Sequence, residues 1–467
     1  MLPLLASLAI TYQAPYCASL YWEVQALAGG AHVNVAAYRQ DWGMQPGDQA
    51  MLAAFQRIKA DYHGSFPRRP ARENAYLPMA PLGDTAVDTR FDNCFLASAS
   101  LPEAWARVDG LLAEDDARDL RRVLAHFEPR FAKRFKRLGY LAKYRDEFAR
   151  YAPGSGLETW LDRSLRFYGV PAATRLTPKV TFVFTPAAHG THAVQLGSNL
   201  VVEVIQGETP AQRADVVAHE LSHYFYEEGR AGDDPAFIQA VYQAAGPHAG
   251  PAMGLINEGL ATAIGQGAVQ EALAPDKFKR ALARPNGFYT NAEIDAYAKA
   301  IFPAVKQALL AGKPVRDLVP DLVAGYLRAF EHQPLTPARV LTNYMLVLEG
   351  RRDPAFADYF KAIPPRSIFH ESLLDGGAFW TKYQGLPGLV ALTADQVPEL
   401  ATQAASYGLT PAELASLRGA APGVLIKPRP TGGSLFIVVA ADRPALGRAM
   451  ARFAALPRIE AGWMPLP

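Results

Sequence analysis

Two short runs of β-branched and aromatic residues, KVTFVF at 179–184 and NLVVEVIQ at 199–206, stand directly before AQRADVVAHELSHYFYEE at 211–228. Each run is bounded by Gly, Pro or polar turn residues and reads as a strand. The stretch after them reads as a helix, with Thr209 and Pro210 suited to the N-cap and first helical position and an end near Gly229. No other part of the chain constrains it as much. A strand pair must bury a face against something, and the helix offered for that purpose carries HELSH at 219–223.

Around this unit the pattern differs. Residues 20–165 read mainly as helix, with LPEAWARVDGLLAEDDARDLRRVLAHF showing apolar residues at three- and four-residue spacing and an acidic interruption. Phe131, Phe135, Leu138 and Leu141 continue one apolar stripe, and the Lys and Arg between them read as a solvated face. A Pro/Arg-rich segment at 65–84 reads as irregular, and APGSG at 152–156 as a break between helices. PAFIQAVYQAAG predicts a short helix, PHAGPAM a loop, and a further helix begins near GLINEGLATAIGQG. Residues 290–350 read as amphipathic helices. GVLIKPRP and SLFIVVAA read as strands, and PALGRAMARFAAL as a helix. The expected organisation is an apolar or signal-like segment at 1–19, a helical region at 20–165, a central domain at 166–360 and an α/β section at 361–467.

The 467 residues are half hydrophobic and a fifth charged, with a net charge of +2, which gives no reason to expect nucleic acid as a partner. No run reaches the roughly 18 apolar residues of a membrane span. Cys17 and Cys94 allow one disulfide and no cysteine metal site. The first ten residues are apolar enough for the core of a signal peptide, although no Lys or Arg precedes them and no small-x-small site follows. The expectation is an exported protein, periplasmic or extracellular, with a cytoplasmic one as the alternative.

Residues four apart on a helix share a face, so His219 and His223 can turn both imidazoles to one ion. Zinc favours such nitrogen ligands. Glu220, one residue round from His219, can reach a water beside that ion without being a ligand, and can move its proton. A catalytic zinc needs three protein ligands and an open position. Glu258, in INEGLAT and 35 positions after His223, is the candidate third. Asp215 and Glu227 lie one turn before and after the histidines, where they could orient them, although pairing on the exposed helix surface is the reading favoured for both. Neither a Gly-x-Ser-x-Gly elbow nor a phosphate loop is present, and GQG at 265–267 lacks the third glycine of a dinucleotide fingerprint.

HELSH together with NEGLAT resembles the gluzincin group of zinc metallopeptidases, and NEGLAT is close to the Asn-Glu-Gly-Phe-Ala segment of the zinc aminopeptidases related to leukotriene A4 hydrolase. The likeness covers about 60 residues, 199–262. It implies His219, His223 and Glu258 as ligands of one zinc ion, Glu220 as general base, and a strand at 199–206 that lines the cleft and pairs with an extended peptide. It also implies a Tyr or His after the third ligand to stabilise the oxyanion, with Tyr289, Tyr326, His332 and Tyr344 as candidates. The chain departs from those relatives in its longer spacing and in lacking their Gly-x-Met-Glu-Asn segment. Where the thermolysin-like branch has an aspartate four residues after the third ligand, this chain has Thr262.

The expected fold is α+β and helix-rich, with a zincin-like catalytic domain of small mixed sheet and active-site helix between the two flanking regions. The expected function is zinc-dependent hydrolysis of a peptide or protein substrate. The alternative is a non-catalytic cell-envelope binding or scaffolding protein on an inactive zincin core.

Overall fold

The computed structural model describes residues 7–30, 34–63, 69, 71–72, 87–187, 192–232, 234–348, 363, 367–372, 380–381, 386–418, 422–429 and 433–466. Most of the segment read as irregular at 65–84 lies outside them. The architecture is helix-rich α+β with mixed sheets. Its strands, in chain order, are β1 (Ser7–Leu8), β2 (Thr11–Gln13), β3 (Arg175–Leu176), β4 (Lys179–Phe184), β5 (Ala193–Leu196), β6 (Asn199–Val204), β7 (Asn343–Leu348), β8 (Ser367–Ser372), β9 (Gly388–Thr393), β10 (Gly423–Pro428), β11 (Ser434–Ala440) and β12 (Gly462–Pro465).

The central sheet has the order β2-β4-β6-β5, with β2, β4 and β6 parallel and β5 antiparallel at the edge. Alternation along β6 decides what each face packs against. Leu200, Val202 and Val204 join the core that holds Val217, Leu221 and Phe225 of the HELSH helix, Ala214–Glu228. Val201 on β6 and Val183 on β4 join a second core, formed by the N-terminal helices from Tyr16–Leu27 to Glu114–Phe135. The sheet is thus sandwiched between the N-terminal helices and the motif helix.

Residues 1–6 of the expected N-terminal apolar segment lie outside the described residues; its later part is tied into this arrangement, since Thr11, Tyr12 and Gln13 pair with Lys179, Val180 and Thr181. Cys17 and Cys94 are buried and free. The break at APGSG is present: one helix ends at Gly154, and Gly156, at φ +86°, caps the next, Leu157–Tyr168. That backbone conformation is one only glycine adopts without strain.

Two sequence expectations are corrected. PHAGPAM is helical: Pro247 and His248 lie in a 3-10 turn, Gly246–His248, and the helix Ala249–Thr262 begins within the segment with Pro251 in its first turn, where its missing N–H breaks no intrahelical bond. NYMLVL at 343–348 is strand β7 rather than helix, paired in parallel with β8 and β9. The six-stranded sheet, β12-β10-β11-β9-β7-β8, therefore reaches back to Asn343. One face packs on the main core through Val347, Val390 and Ile437; the other packs on Leu446, Met450 and Phe453 of the helix Arg443–Ala454. Among the described residues, no helix is long and apolar enough to cross a membrane.

Candidate metal centre

The motif helix begins one turn later than the sequence suggests. Thr209 caps a short 3-10 turn, Pro210–Gln212, in a reciprocal capping box with Gln212, and the α-helix proper runs from Ala214. That start presents His219 and His223 away from the sheet and towards the helix Ala249–Thr262. Both imidazoles are buried, at 4% and 9% exposure. Their Nε2 atoms lie 3.1 Å apart, and Glu258 Oε2 is 3.7 Å from each. These three side chains form the one group among the described residues that could hold a metal ion, with ligand atoms all within 4.8 Å of one another.

The remaining ring nitrogens explain why a cation belongs there. His219 Nδ1 is 3.1 Å from Gln266 Oε1, and His223 Nδ1 is 2.9 Å from Asn257 Oδ1. An amide oxygen only accepts, so each Nδ1 donates, and both Nε2 lone pairs then face one another beside a carboxylate oxygen. Three electron pairs converging in a buried site need a positive charge between them. A proton can bridge the two nitrogens but cannot span 3.7 Å to the oxygen. A point equidistant from all three atoms lies about 2.0 Å from each, which matches a zinc–nitrogen or zinc–oxygen bond. The residues therefore fit the metal that the motif implies.

Electrostatics agrees with this geometry. Burial, reinforced by His223, pushes the His219 imidazole down to about 4. Burial pulls His223 down as well, but the Glu258 and Glu220 carboxylates outweigh it and hold His223 above its ordinary value. His223 is therefore the more basic ring of the pair. Glu220 is 6% exposed, and burial pushes its carboxyl up to about 7, with Glu258 adding to the rise. His223 and the backbone N–H of Gln195 on β5, which donates to the carboxylate, pull the other way.

Of the oxyanion candidates whose side chains are described, Tyr289 alone is placed against the site, its half-buried ring stacked on His219 at 5.8 Å between centroids and 22° between planes. Tyr326 is buried beside Tyr297 and Phe330 and accepts from Arg339 at 3.2 Å. His332 is exposed, and the side chain of Tyr344 lies outside the described residues. Asp215 does not orient a histidine; its Oδ2 accepts from Gln270 and Lys277, tying the motif helix to its neighbours. Glu227 accepts from Gln195 Nε2 at 2.8 Å.

Strand β6 does not offer an edge to a peptide, because β4 and β5 occupy both of its sides; the sheet's edge at the site is β5. The residues missed in sequence are Asn257, Gln266 and Gln195. Asn257, adjacent to Glu258, was the one with a signal. The chain matches no protein-family model, no curated protein and no solved structure.

Proposed function

We propose that the chain is a zinc-dependent metallopeptidase of gluzincin type, with a zincin-like catalytic domain built on the central sheet. The observation that carries the reading is the convergence of His219, His223 and Glu258, with the buried carboxylate of Glu220 on the same helix. Zinc held by the three ligands would acidify a water and polarise a peptide carbonyl. Glu220 takes the water's proton and returns it to the departing nitrogen. Its burial beside His219 and His223 suits it to hold and return a proton. The Gln195 N–H keeps the carboxylate oriented from β5. That strand, at the edge of the sheet among the described residues, also offers a side to an extended substrate, which can add to a sheet edge through backbone hydrogen bonds. Tyr289, packed on His219, is assigned to the oxyanion.

The experiment is a peptide-library digest with wild type and Glu220→Gln, each with zinc content measured. The reading expects cleavage by wild type, abolished by chelation. In Glu220→Gln it expects at least a hundredfold loss with zinc retained, on the scale of general acid–base catalysis. Cleavage unchanged in Glu220→Gln refutes the general base. Zinc without cleavage in either form favours the binding or scaffolding alternative.

A further inference from the structure

The helix that carries Glu258 does not continue as an α-helix. After Thr262 the segment Ala263–Val269 is a π-helix, and α-helical geometry resumes only at Gln270. Such turns are rare, carry one more residue per turn than an α-helix and concentrate at functional sites. This one changes which side chain faces the histidines. In an unbroken α-helix, Gln266, eight residues after Glu258, would point about 80° away from it. With the slower rotation of a π-turn over 263–266, Gln266 returns to within about 10° of the Glu258 direction, two turns further on. There its Oε1 meets His219 Nδ1 at 3.1 Å.

Two neighbours point the same way. Thr262, four residues after Glu258 and in the position an α-helix would aim at the site, is fully buried, and its hydroxyl has no hydrogen-bond partner. It does not take the place of a histidine partner. Gly265 lets the π-turn press on the motif helix: a Cβ there would lie 2.5 Å from Asp215 O and 2.8 Å from His219 Cβ. Nothing larger than glycine leaves Gln266 close enough to reach the ring.

We infer that the π-turn Ala263–Val269 delivers Gln266 to His219 as the positioning residue that fixes which of its ring nitrogens faces the metal. The inference rests on the metal reading of the site and adds to it a neutral anchor. With Asn257 on His223, both imidazoles are backed by amides rather than carboxylates. Such partners leave more positive charge on the ion than a carboxylate would, at some cost in affinity.

The test needs no substrate. In metal-free wild type labelled with 15N at histidine, the inference expects the Nδ1–H form of His219. An Nε2–H form overturns it, whatever happens to any variant. Gln266→Leu removes the acceptor and is expected to lower zinc affinity 10–100-fold in competition with a chelator. Gln266→Glu is expected to keep the tautomer and bind zinc at least as tightly as wild type. Thr262→Val, which removes the unpartnered hydroxyl, is expected to bind zinc as wild type does. Gln266→Leu with wild-type affinity and tautomer overturns the inference while leaving the metal site intact. Should that variant fail to fold, weaker zinc binding by a folded Gln266→Glu overturns it instead. A wild type that binds no zinc refutes the metal reading, whereas the tautomer in the metal-free protein still decides the role of Gln266.

Discussion

Alanine at Gly265 and alanine at Gly447 are the same chemical change with opposite expected signs. Gly447 lies inside the helix Arg443–Ala454 with nothing within 4 Å of the position its Cβ would take. Gly447→Ala therefore collects only the helix-propensity gain of about 0.8–1.0 kcal/mol. At Gly265 the new Cβ would stand 2.5 Å from Asp215 O, 2.8 Å from His219 Cβ and 3.0 Å from His219 N. None of these is the end of a flexible side chain, so the π-turn and the motif helix must part by roughly 0.9 Å to restore ordinary contact. Overpacking of that kind costs about 1–3 kcal/mol, occasionally more, and outweighs the propensity gain. Both variants collect the propensity gain, so they should differ by the overpacking cost alone, about 1–3 kcal/mol, in urea denaturation followed by circular dichroism. Because the displaced neighbour is His219, Gly265→Ala should also lose zinc affinity by about tenfold or more in chelator competition. A Gly265→Ala protein as stable as Gly447→Ala, with wild-type zinc affinity, would refute the close packing on which the site's geometry depends.

Glu203, 1% exposed on β6, accepts from Trp22 Nε1 at 3.0 Å, Tyr38 Oη at 2.6 Å and His192 N at 2.8 Å. Tyr38 Oη also lies 2.6 Å from Phe184 O and can turn to it, so Glu203→Leu should cost about 2–5 kcal/mol, mainly through the other two donors. The measurement is urea denaturation followed by tryptophan fluorescence, and unchanged stability would exclude this anchor between helices and sheet. Glu23 supplies a pH dependence: burial pushes its carboxyl up to about 8 against the opposing pull of Arg134, 3.7 Å away. The native state holds a proton that the unfolded chain releases above its ordinary carboxyl range. Its contribution is therefore complete below about 4.5 and is lost as pH rises through about 8. Stability should fall between about pH 4.5 and 8 by on the order of a few kcal/mol and level off above that, and Glu23→Gln should flatten that slope. An identical slope in the variant would assign it to other groups.

How far the site could be read in advance follows from periodicity. His219, Glu220 and His223 sit on an ordinary α-helix, so their shared face was legible from spacing alone. Glu258 needed the resemblance, since a contact 35 positions away leaves no local signal. Gln266 was invisible because periodic reasoning assumes 3.6 residues per turn, and the π-turn changes that number at the decisive place. The strands before the motif were legible in β-branched composition. Their order was not: β6, the stronger run, is interior, and the weaker AVQL at 193–196 takes the edge. NYMLVL was misread because a short apolar run has no period to separate strand from buried helix. Asp215 and Glu227 share the histidines' helical face, but each has a partner on another element.

The central claim is that three side chains converge on one metal ion, and elemental analysis of purified protein tests it most directly. Wild type should carry about one zinc per chain, and Glu258→Ala and His223→Ala, confirmed as folded, clearly less. A folded wild type that takes up no zinc even when it is supplied would contradict the account.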